Sequence, residues 1–192
     1  MILNRVLIGF SQTAVGILGI YFKLQSFLFM PIFGMNNGVM PIMGYNYGAK
    51  NRRRLMETYR DALMIAICIM LVGLLLFQLF PDKLLAVFNA DDEMYELGRQ
   101  ALTTISFSFI FAAVSIINGT LFQATAHGLN SLIVTSLRQI IVLIPLAVIL
   151  SNSLGVYGVW LAFPIAEACA AVISLLLVRG IYKKDIAVME DQ

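Results

Sequence analysis

The sequence MPIFGMNNGVMPIMGYNYGAKNRRR, residues 30–54, joins an apolar run to a cluster of positive charge. Pro31 and Pro41 each lack a backbone N–H and disturb an α-helix. The four glycines leave room for another backbone to come close. The pattern fits two structures: a bent helix end that leaves a membrane, or a flexible gate beside a polar cavity. Interrupted helices persist in a membrane only where protein or water satisfies the freed backbone groups.

The composition is that of an integral membrane protein. Of the 192 residues, 60% are hydrophobic and only 12% are charged, whereas a soluble domain is about half apolar and a quarter charged. The chain should therefore lie in a lipid bilayer. Its net charge of +2 is too small to indicate a nucleic-acid partner. Cys68 and Cys169 stand inside apolar runs and are predicted to be buried thiols.

The apolar runs predict five full transmembrane helices and the end of a sixth, because about 20 residues are needed to cross the hydrocarbon core. The fold class is therefore an all-α polytopic membrane protein. The predicted units are a helix end at residues 1–10, spans at residues 14–40, 62–80, 101–124, 132–150 and 159–178, and a polar tail at residues 179–192.

Charge at the span ends predicts the orientation. Lys and Arg near span ends stay on the cytoplasmic side, so the basic residues at 50–54 and at 179–184 should face the cytoplasm together. Four spans lie between these two clusters, and an even number of spans is consistent with that placement. The acidic connector at residues 82–96 then faces outward, and the C-terminus is cytoplasmic.

Three ionisable residues stand inside the predicted spans: Lys23, Arg138 and Glu167. Such residues are costly in a membrane and are usually functional or paired. Arg138 and Glu167 have similar depths, within reach of an Arg side chain, so an ion pair between neighbouring helices is expected. Three interpretations stay open: a structural lock, a proton or ion relay, and no contact between the two side chains.

Lys23 lies two residues from Gln25, and residues two apart do not share a helix face. At most one of them can point into a cavity, and Lys23 either lines it or extends its stem toward a wet interior. Asn118, Gln123 and Gln139 are expected to form hydrogen bonds between helices rather than to contact a ligand. His127 is predicted to be a solvated turn residue.

No sequence pattern supports an enzyme. The chain has no nucleotide-binding loop, no convincing Ser/His/Asp set and no zinc motif. We therefore expect a non-enzymatic protein with no cofactor and no resident metal.

Three stretches carry a resemblance to a known family: FLFMPIFGMNNGVMPIMGYNYGAKNRRR at residues 27–54, VFNADDEMYELG at 87–98 and GVYGVWLAFPIAEACAAVISLLL at 155–177. Together they resemble the multidrug and toxic compound extrusion (MATE) transporters. The resemblance implies twelve helices in two six-helix lobes, with this chain as the C-terminal lobe. Residues 1–10 would be the end of helix 7, and the five spans would be helices 8 to 12.

The resemblance also implies a function in the bacterial cytoplasmic membrane, the efflux of organic cations in exchange for Na⁺ or H⁺. The expected partners are the missing N-terminal lobe or a second copy of the chain, and cationic amphiphilic drugs would be the substrates. Lys23, Gln25, Asn36 and Asn37 would help to line this lobe's half of the substrate cleft.

One departure from the family pattern concerns coupling. The family's coupling carboxylates lie in the first helix of the N-terminal lobe, or in helices 7 and 10. Residues 101–126, which would hold helix 10, contain no carboxylate. The resemblance therefore assigns no coupling role to Glu167.

Two alternative functions stay open. A related flippase for lipid-linked oligosaccharides would need a strongly cationic cleft suited to pyrophosphate, and few charges stand inside the spans here. A non-transporting membrane remnant or assembly partner would bind a separate lobe without moving a substrate.

Overall fold

A computed structural model of the chain describes residues 2–88 and 90–189, so residue 89 of the acidic connector and residues 190–192 of the predicted tail lie outside the described residues. Within those ranges the chain is helical and contains no β-strand. The α-helices are α1 (Ile2–Ile8), α2 (Gln12–Gly48), α3 (Arg52–Leu79), α4 (Pro81–Ala86), α5 (Asp92–Ser106), α6 (Ser108–Ala124), α7 (Gly128–Ser136), α8 (Ile144–Leu154) and α9 (Val156–Ile181). A first π-helical segment, Leu137–Leu143, joins α7 to α8, and a second, Tyr182–Ile186, extends α9.

The described helices provide up to five membrane spans. Four units are long and apolar enough to cross a bilayer: α2, α3, the continuous unit Gly128–Leu154, and the unit Val156–Ile186. A fifth span forms if α5 and α6 are counted together across a bend of 43°. The predicted fold class, an all-α polytopic membrane protein, is confirmed.

Helix α2 continues without interruption through Pro31 and Pro41 and ends at Gly48, eight residues beyond the predicted end of the first span. A proline inside a helix removes a single backbone hydrogen bond, and the rest of this helix remains intact. Of the four glycines in this stretch, only Gly44 comes near another backbone, since a Cβ there would lie 3.6 Å from the carbonyl oxygen of Ala124.

Most of the basic stretch after α2, which lies between the first two predicted spans, is helical. Helix α3 begins at Arg52, ten residues before the predicted start of the second span. Asn51 caps it, because its Oδ1 accepts a hydrogen bond of 3.0 Å from the backbone N–H of Arg54. A side-chain cap of this kind satisfies a helix's first orphan donors, so the arginines occupy the first turn of a helix.

Helix α6 is the centre of the bundle and packs most extensively against α3 and α9. Its buried face includes Phe109 and Phe122, and the largest buried side chain, Trp160, comes from α9. Large apolar side chains also cover the outside of the bundle, among them Phe27, Val72 and Leu176. An outer surface of this kind suits hydrocarbon. The membrane-spanning helices therefore imply a lipid bilayer as the chain's environment.

The turn between α8 and α9 depends on glycine at two positions. Gly155 has a φ of +60°, a conformation that other residues rarely adopt. A Cβ at Gly158 would overlap the carbonyl oxygen of Leu150. The two helices can therefore come this close only because residue 158 has no side chain.

At the end of the bundle that holds residues 50–54 and 179–184, which we call the basic end, side chains connect three segments. Arg52 Nη2 donates a hydrogen bond of 2.7 Å to the hydroxyl of Tyr182. His127 Nε2 lies 3.2 Å from a carboxylate oxygen of Asp185, so the prediction that His127 is only a solvated turn residue is wrong. These contacts hold the second π-helical segment against the α2–α3 and α6–α7 connections.

The two cysteines differ from the prediction. Cys68 is exposed and Cys169 is only partly buried. An apolar run does not distinguish a core-facing residue from a lipid-facing one, because both surroundings are apolar.

Candidate functional site

A cavity of about 850 Å³ opens between α2, α6, the Gly128–Leu154 unit and α9. This volume is within the range of small-molecule sites. One part of the wall is aromatic and is lined by Phe22, Phe29, Phe33 and Phe163. The rest of the wall combines aliphatic side chains, among them Ile116, Leu143 and Ile144, with polar ones. The amide and hydroxyl side chains are Gln25, Ser26, Asn36, Asn37, Thr120, Gln123, Ser131, Thr135 and Gln139. The cavity is therefore amphipathic.

An ion pair between Arg138 and Glu167 lies in the cavity wall. Arg138 Nη1 donates to both carboxylate oxygens of Glu167, at 2.9 Å to Oε1 and 3.1 Å to Oε2. The two side chains are 21% and 15% exposed. Among the described lining residues, these two alone carry a formal charge. The structure thus joins the two residues for which the sequence predicted a pair.

The first π-helical segment carries Arg138 and Gln139 on the cavity wall. Pro145 is the second residue of α8, which begins where this segment ends. Pro145 has no N–H and its ring crowds the carbonyl four residues before it, so one backbone hydrogen bond is lost at residues 141–145. The chain widens to π geometry just before this proline, whereas α2 stays α-helical through Pro31 and Pro41. Widening to π geometry is one way to accommodate the proline, and π segments inside α-helices often occur at functional sites.

Three of the four predicted cavity residues, Gln25, Asn36 and Asn37, line the cavity. Lys23 does not, so the prediction that Lys23 helps to line the cavity is wrong. Its Nζ lies 5.7 Å from the ring centroid of Phe88, beside a separate cavity of about 240 Å³. Residues two positions apart in an α-helix are separated by about 200° around its axis. The side chains of Lys23 and Gln25 therefore point in nearly opposite directions.

The Oδ1 atom of Asn36 is buried and accepts no hydrogen bond from a described residue. A buried acceptor without a partner is costly. This atom therefore offers an unused acceptor at the cavity wall, to which a bound molecule or a water could donate.

The sequence analysis missed Tyr21, Thr120, Ser131 and Thr135 as lining residues. On α2 the spacing could have found Tyr21, because residues 21, 25, 29, 33, 36 and 40 all line the cavity and follow the repeat of one helix face. No comparable signal identifies the residues from α6 and α7, since their position depends on how those helices pack.

A second group of polar side chains lies inside the bundle. Tyr59 donates a hydrogen bond of 2.7 Å to Asn118 Oδ1, and Asn118 Nδ2 donates one of 2.8 Å to Ser174. The bonds connect α3, α6 and α9, so the predicted interhelical role of Asn118 is confirmed. Gln123 forms a bond between helices as well, at 3.3 Å to Ser131, and it also lines the cavity.

Residues 2–88 and 90–189 contain no group of three or more His, Cys, Asp or Glu side chains arranged to hold a metal ion. The chemistry available in the cavity is therefore that of one ion pair, neutral hydrogen-bonding groups and aromatic rings. Such a site can bind and orient an amphiphilic molecule.

A sequence profile of the MatE family matches residues 1–149 of the chain. The chain belongs to the MatE family. It is 26% identical over 178 residues to the multidrug export protein MepA of Staphylococcus aureus (strain bovine RF122 / ET3-1), an alignment that covers 93% of the chain and 39% of MepA. It is 24% identical over 181 residues to MepA of Staphylococcus haemolyticus (strain JCSC1435), which covers 94% of the chain and 40% of that protein. This MatE chain thus spans about two-fifths of the length of the curated relatives that it matches.

Solved structures show the same fold. The MatE chain superposes with a TM-score of 0.88 on the outward-facing conformation of a multidrug resistance MATE family transporter of the MOP superfamily, at 24% identity, with 95% of the chain and 42% of that structure covered. The inward-facing conformation of a multidrug resistance MATE family transporter gives the same TM-score and identity, with 98% and 44% covered. The fold of this chain is therefore compatible with both the outward-facing and the inward-facing conformation.

Proposed function

We propose that this chain forms one lobe, the C-terminal one, of a multidrug efflux transporter in the bacterial cytoplasmic membrane, with its C-terminus in the cytoplasm. The observation that carries the proposal is the amphipathic cavity of about 850 Å³, in which an aromatic wall faces amide groups and a single ion pair. Family membership and the similarity to MepA support the same function. The other half of the substrate cleft would come from an N-terminal lobe or from a second copy of the chain.

An accumulation assay tests this proposal. If an N-terminal lobe supplies the other half of the cleft, cells that express the chain alone should accumulate ethidium like cells without it, because one lobe forms only half of the cleft. Cells that express the chain fused to the part of Staphylococcus aureus MepA that it does not match should accumulate less. Efflux by the chain alone, as strong as that of complete MepA, would show that no N-terminal lobe is needed and would leave a second copy as the source of the other half. No efflux by the fusion, despite normal membrane expression, would argue against the transport function.

The size of the native polypeptide distinguishes the two sources of the second lobe. An immunoblot against the C-terminal tail should show a band near twice the 21.3 kDa of this chain if both lobes belong to one protein. A band at 21.3 kDa would instead direct the search to a separate lobe or to a homodimer.

We also propose that efflux is coupled to Na⁺ or H⁺. Within the described lining, Glu167 is the single carboxylate that faces the cavity, so it is the candidate for a proton or ion relay. The alternative is that the pair only locks two helices. In the MepA fusion, Glu167→Gln separates the two: lost coupling with normal expression favours the relay, and retained coupling with lowered expression favours the lock.

The charge of the cavity favours drug efflux over the oligosaccharide flippase. Pyrophosphate recognition needs an excess of cationic donors, whereas the charges of Arg138 and Glu167 cancel. If the fusion carries a pyrophosphate-linked lipid and fails to export ethidium, the flippase replaces the efflux proposal.

A further inference from the structure

The chain's single histidine, His127, lies just after the end of α6, and the backbone fixes its position there. The N–H of His127 donates a hydrogen bond of 2.7 Å to the carbonyl oxygen of Phe122. The N–H of Ala126 donates one of 3.3 Å to the carbonyl oxygen of Gln123. These two bonds form a Schellman motif, which needs a left-handed residue, and Ala126 has a φ of +62°. The imidazole is therefore positioned by the helix end that carries it.

The hydrogen bonds of Thr125 determine which imidazole nitrogen carries a proton. Thr125 Oγ1 lies 2.8 Å from the carbonyl oxygen of Leu121, so the hydroxyl donates its one hydrogen there. The same Oγ1 lies 3.2 Å from His127 Nδ1, to which it can then offer only a lone pair. Nδ1 must therefore be the protonated nitrogen when the imidazole is neutral.

The other ring nitrogen faces a carboxylate. His127 Nε2 lies 3.2 Å from Oδ2 of Asp185, and this oxygen is buried and accepts no hydrogen bond from a described residue. In the neutral imidazole Nε2 is an acceptor too, so the two atoms repel each other. In the imidazolium both nitrogens carry protons, and the contact becomes an ion pair. One proton thus decides the sign of the interaction.

The charged groups near this contact leave the proton to His127. No lysine or arginine in the described ranges forms an ion pair with Asp185. On α2 the Asp185 charge acts on the hydroxyl of Tyr47. On α3 the Arg52 guanidinium donates to the hydroxyl of Tyr182. The remaining charged groups on α9 and the second π-helical segment are exposed, namely Arg179, Lys183 and Lys184. Between about pH 5 and 8, imidazole is the side chain among these that changes its charge.

We propose that His127 and Asp185 form a proton-binding site that fastens the second π-helical segment to the α6–α7 connection. With the proton bound, the ion pair holds the segment. When the pH rises and the imidazole loses this proton, the repulsion between Nε2 and the carboxylate releases Asp185. The segment then loosens but stays attached, because Ile186 is fully buried and Arg52 still holds Tyr182. This switch goes beyond the proposed transport function and does not depend on it.

Because His127 is the only histidine, the proton count can be measured directly. The purified chain, on a tag without histidine, is labelled with isotopic histidine and titrated by NMR in detergent micelles. We expect the neutral ring to be the Nδ1–H tautomer, which the nitrogen chemical shifts distinguish from the Nε2–H tautomer. Thr125→Val removes the hydroxyl that fixes this choice. The neutral ring should then become the Nε2–H tautomer and donate to Asp185.

A spin label measures how firmly the second π-helical segment is held. Val188 is exposed and follows the segment, so Val188→Cys is labelled in a chain that also carries Cys68→Ser and Cys169→Ala. A partly exposed ion pair is weak, so the mobile fraction of the spectrum should rise about threefold from low to high pH. The low and high values are about pH 5.5 and about pH 8.5, on either side of the range in which imidazole titrates.

Variants of the site should abolish this pH dependence in defined ways. His127→Ala should be mobile at both pH values, and His127→Arg should be held at both. Asp185→Asn should stay held at high pH, because its amide can donate to Nε2 of the neutral ring. Thr125→Val should stay held for the same reason, with the donor on the imidazole. The matched control is Tyr182→Phe, which removes a contact that does not titrate and should keep the pH dependence.

The inference is overturned if the neutral ring of the wild-type chain is the Nε2–H tautomer, or if the mobile fraction is the same at both pH values. It is also overturned if folded His127→Ala keeps the wild-type pH dependence, since another group would then bind the proton. If His127→Ala does not fold, the tautomer of the wild-type chain decides. The proposed transport function fails separately, when the MepA fusion does not export ethidium.

Discussion

Two of the polar groups that connect helices inside this bundle differ in how fully their hydrogen bonds are used. The Asn118 group is buried and uncharged, and both ends of the Asn118 amide have partners. The Arg138–Glu167 pair is charged and partly exposed, and most of its donors face no described residue. The comparison teaches that a satisfied polar group can serve helix packing alone, whereas one with free donors beside a cavity is available to a ligand.

The largest expected effect comes from removing one charge of the pair. Glu167→Gln should lower the free energy of unfolding by up to about 3 kcal/mol, because it leaves the Arg138 guanidinium without its counter-charge. Unfolding of the purified chain in mixed detergent micelles measures the loss. The matched control is the double variant Arg138→Gln with Glu167→Gln, which removes both charges and should be more stable than Glu167→Gln alone. If the double variant is the less stable one, the pair is not coupled in this way.

Asn118→Ala should cost about 1–3 kcal/mol of unfolding free energy, because the Tyr59 hydroxyl loses its acceptor in a buried site. The same unfolding assay measures it. If the two polar groups differ as argued, ethidium efflux by the MepA fusion should not change once expression is matched. Lost efflux at matched expression would mean that the buried group also shapes the cavity.

Pro145→Ala tests the first π-helical segment. Restoring an N–H removes the proline's obstacle to a regular α-helix, so we expect the segment to tighten and to rotate Arg138 away from Glu167. Ethidium efflux by the MepA fusion should then fall several-fold at normal membrane expression. Pro31→Ala, in the continuous helix α2, is the matched control and should leave efflux intact. Equal results for the two variants would remove the role assigned to the π segment.

The smallest effect is expected at Asn36. Its Oδ1 has no described partner, so Asn36→Ala should change the unfolding free energy by less than about 1 kcal/mol. Ethidium efflux by the MepA fusion should fall slightly if a ligand or a bound water uses this acceptor. A large loss of stability would indicate that Asn36 contributes to packing, and would place it with the Asn118 group.

Many of the positions on α2 that line the cavity can be predicted from the repeat of one helix face. Gln25 and Asn36 are eleven residues apart, close to three helical turns, and both line the cavity. The same repeat excludes Lys23, which is displaced from Gln25 by more than half a turn. The prediction failed at Lys23 because a charge inside a span was given more weight than the direction in which the helix points it.

The sequence by itself determined that this chain is a helical membrane protein, because apolar runs of about 20 residues leave no other way to satisfy the backbone in hydrocarbon. It also indicated the Arg138–Glu167 pair, since two opposite charges at similar depth in adjacent spans have few other partners. Only the tertiary structure decided that Thr120, Ser131 and Thr135 share one cavity, and that His127 contacts Asp185. Such contacts depend on the rotation and approach of helices that are distant in sequence, and an apolar pattern does not encode these quantities when lipid and core are equally apolar.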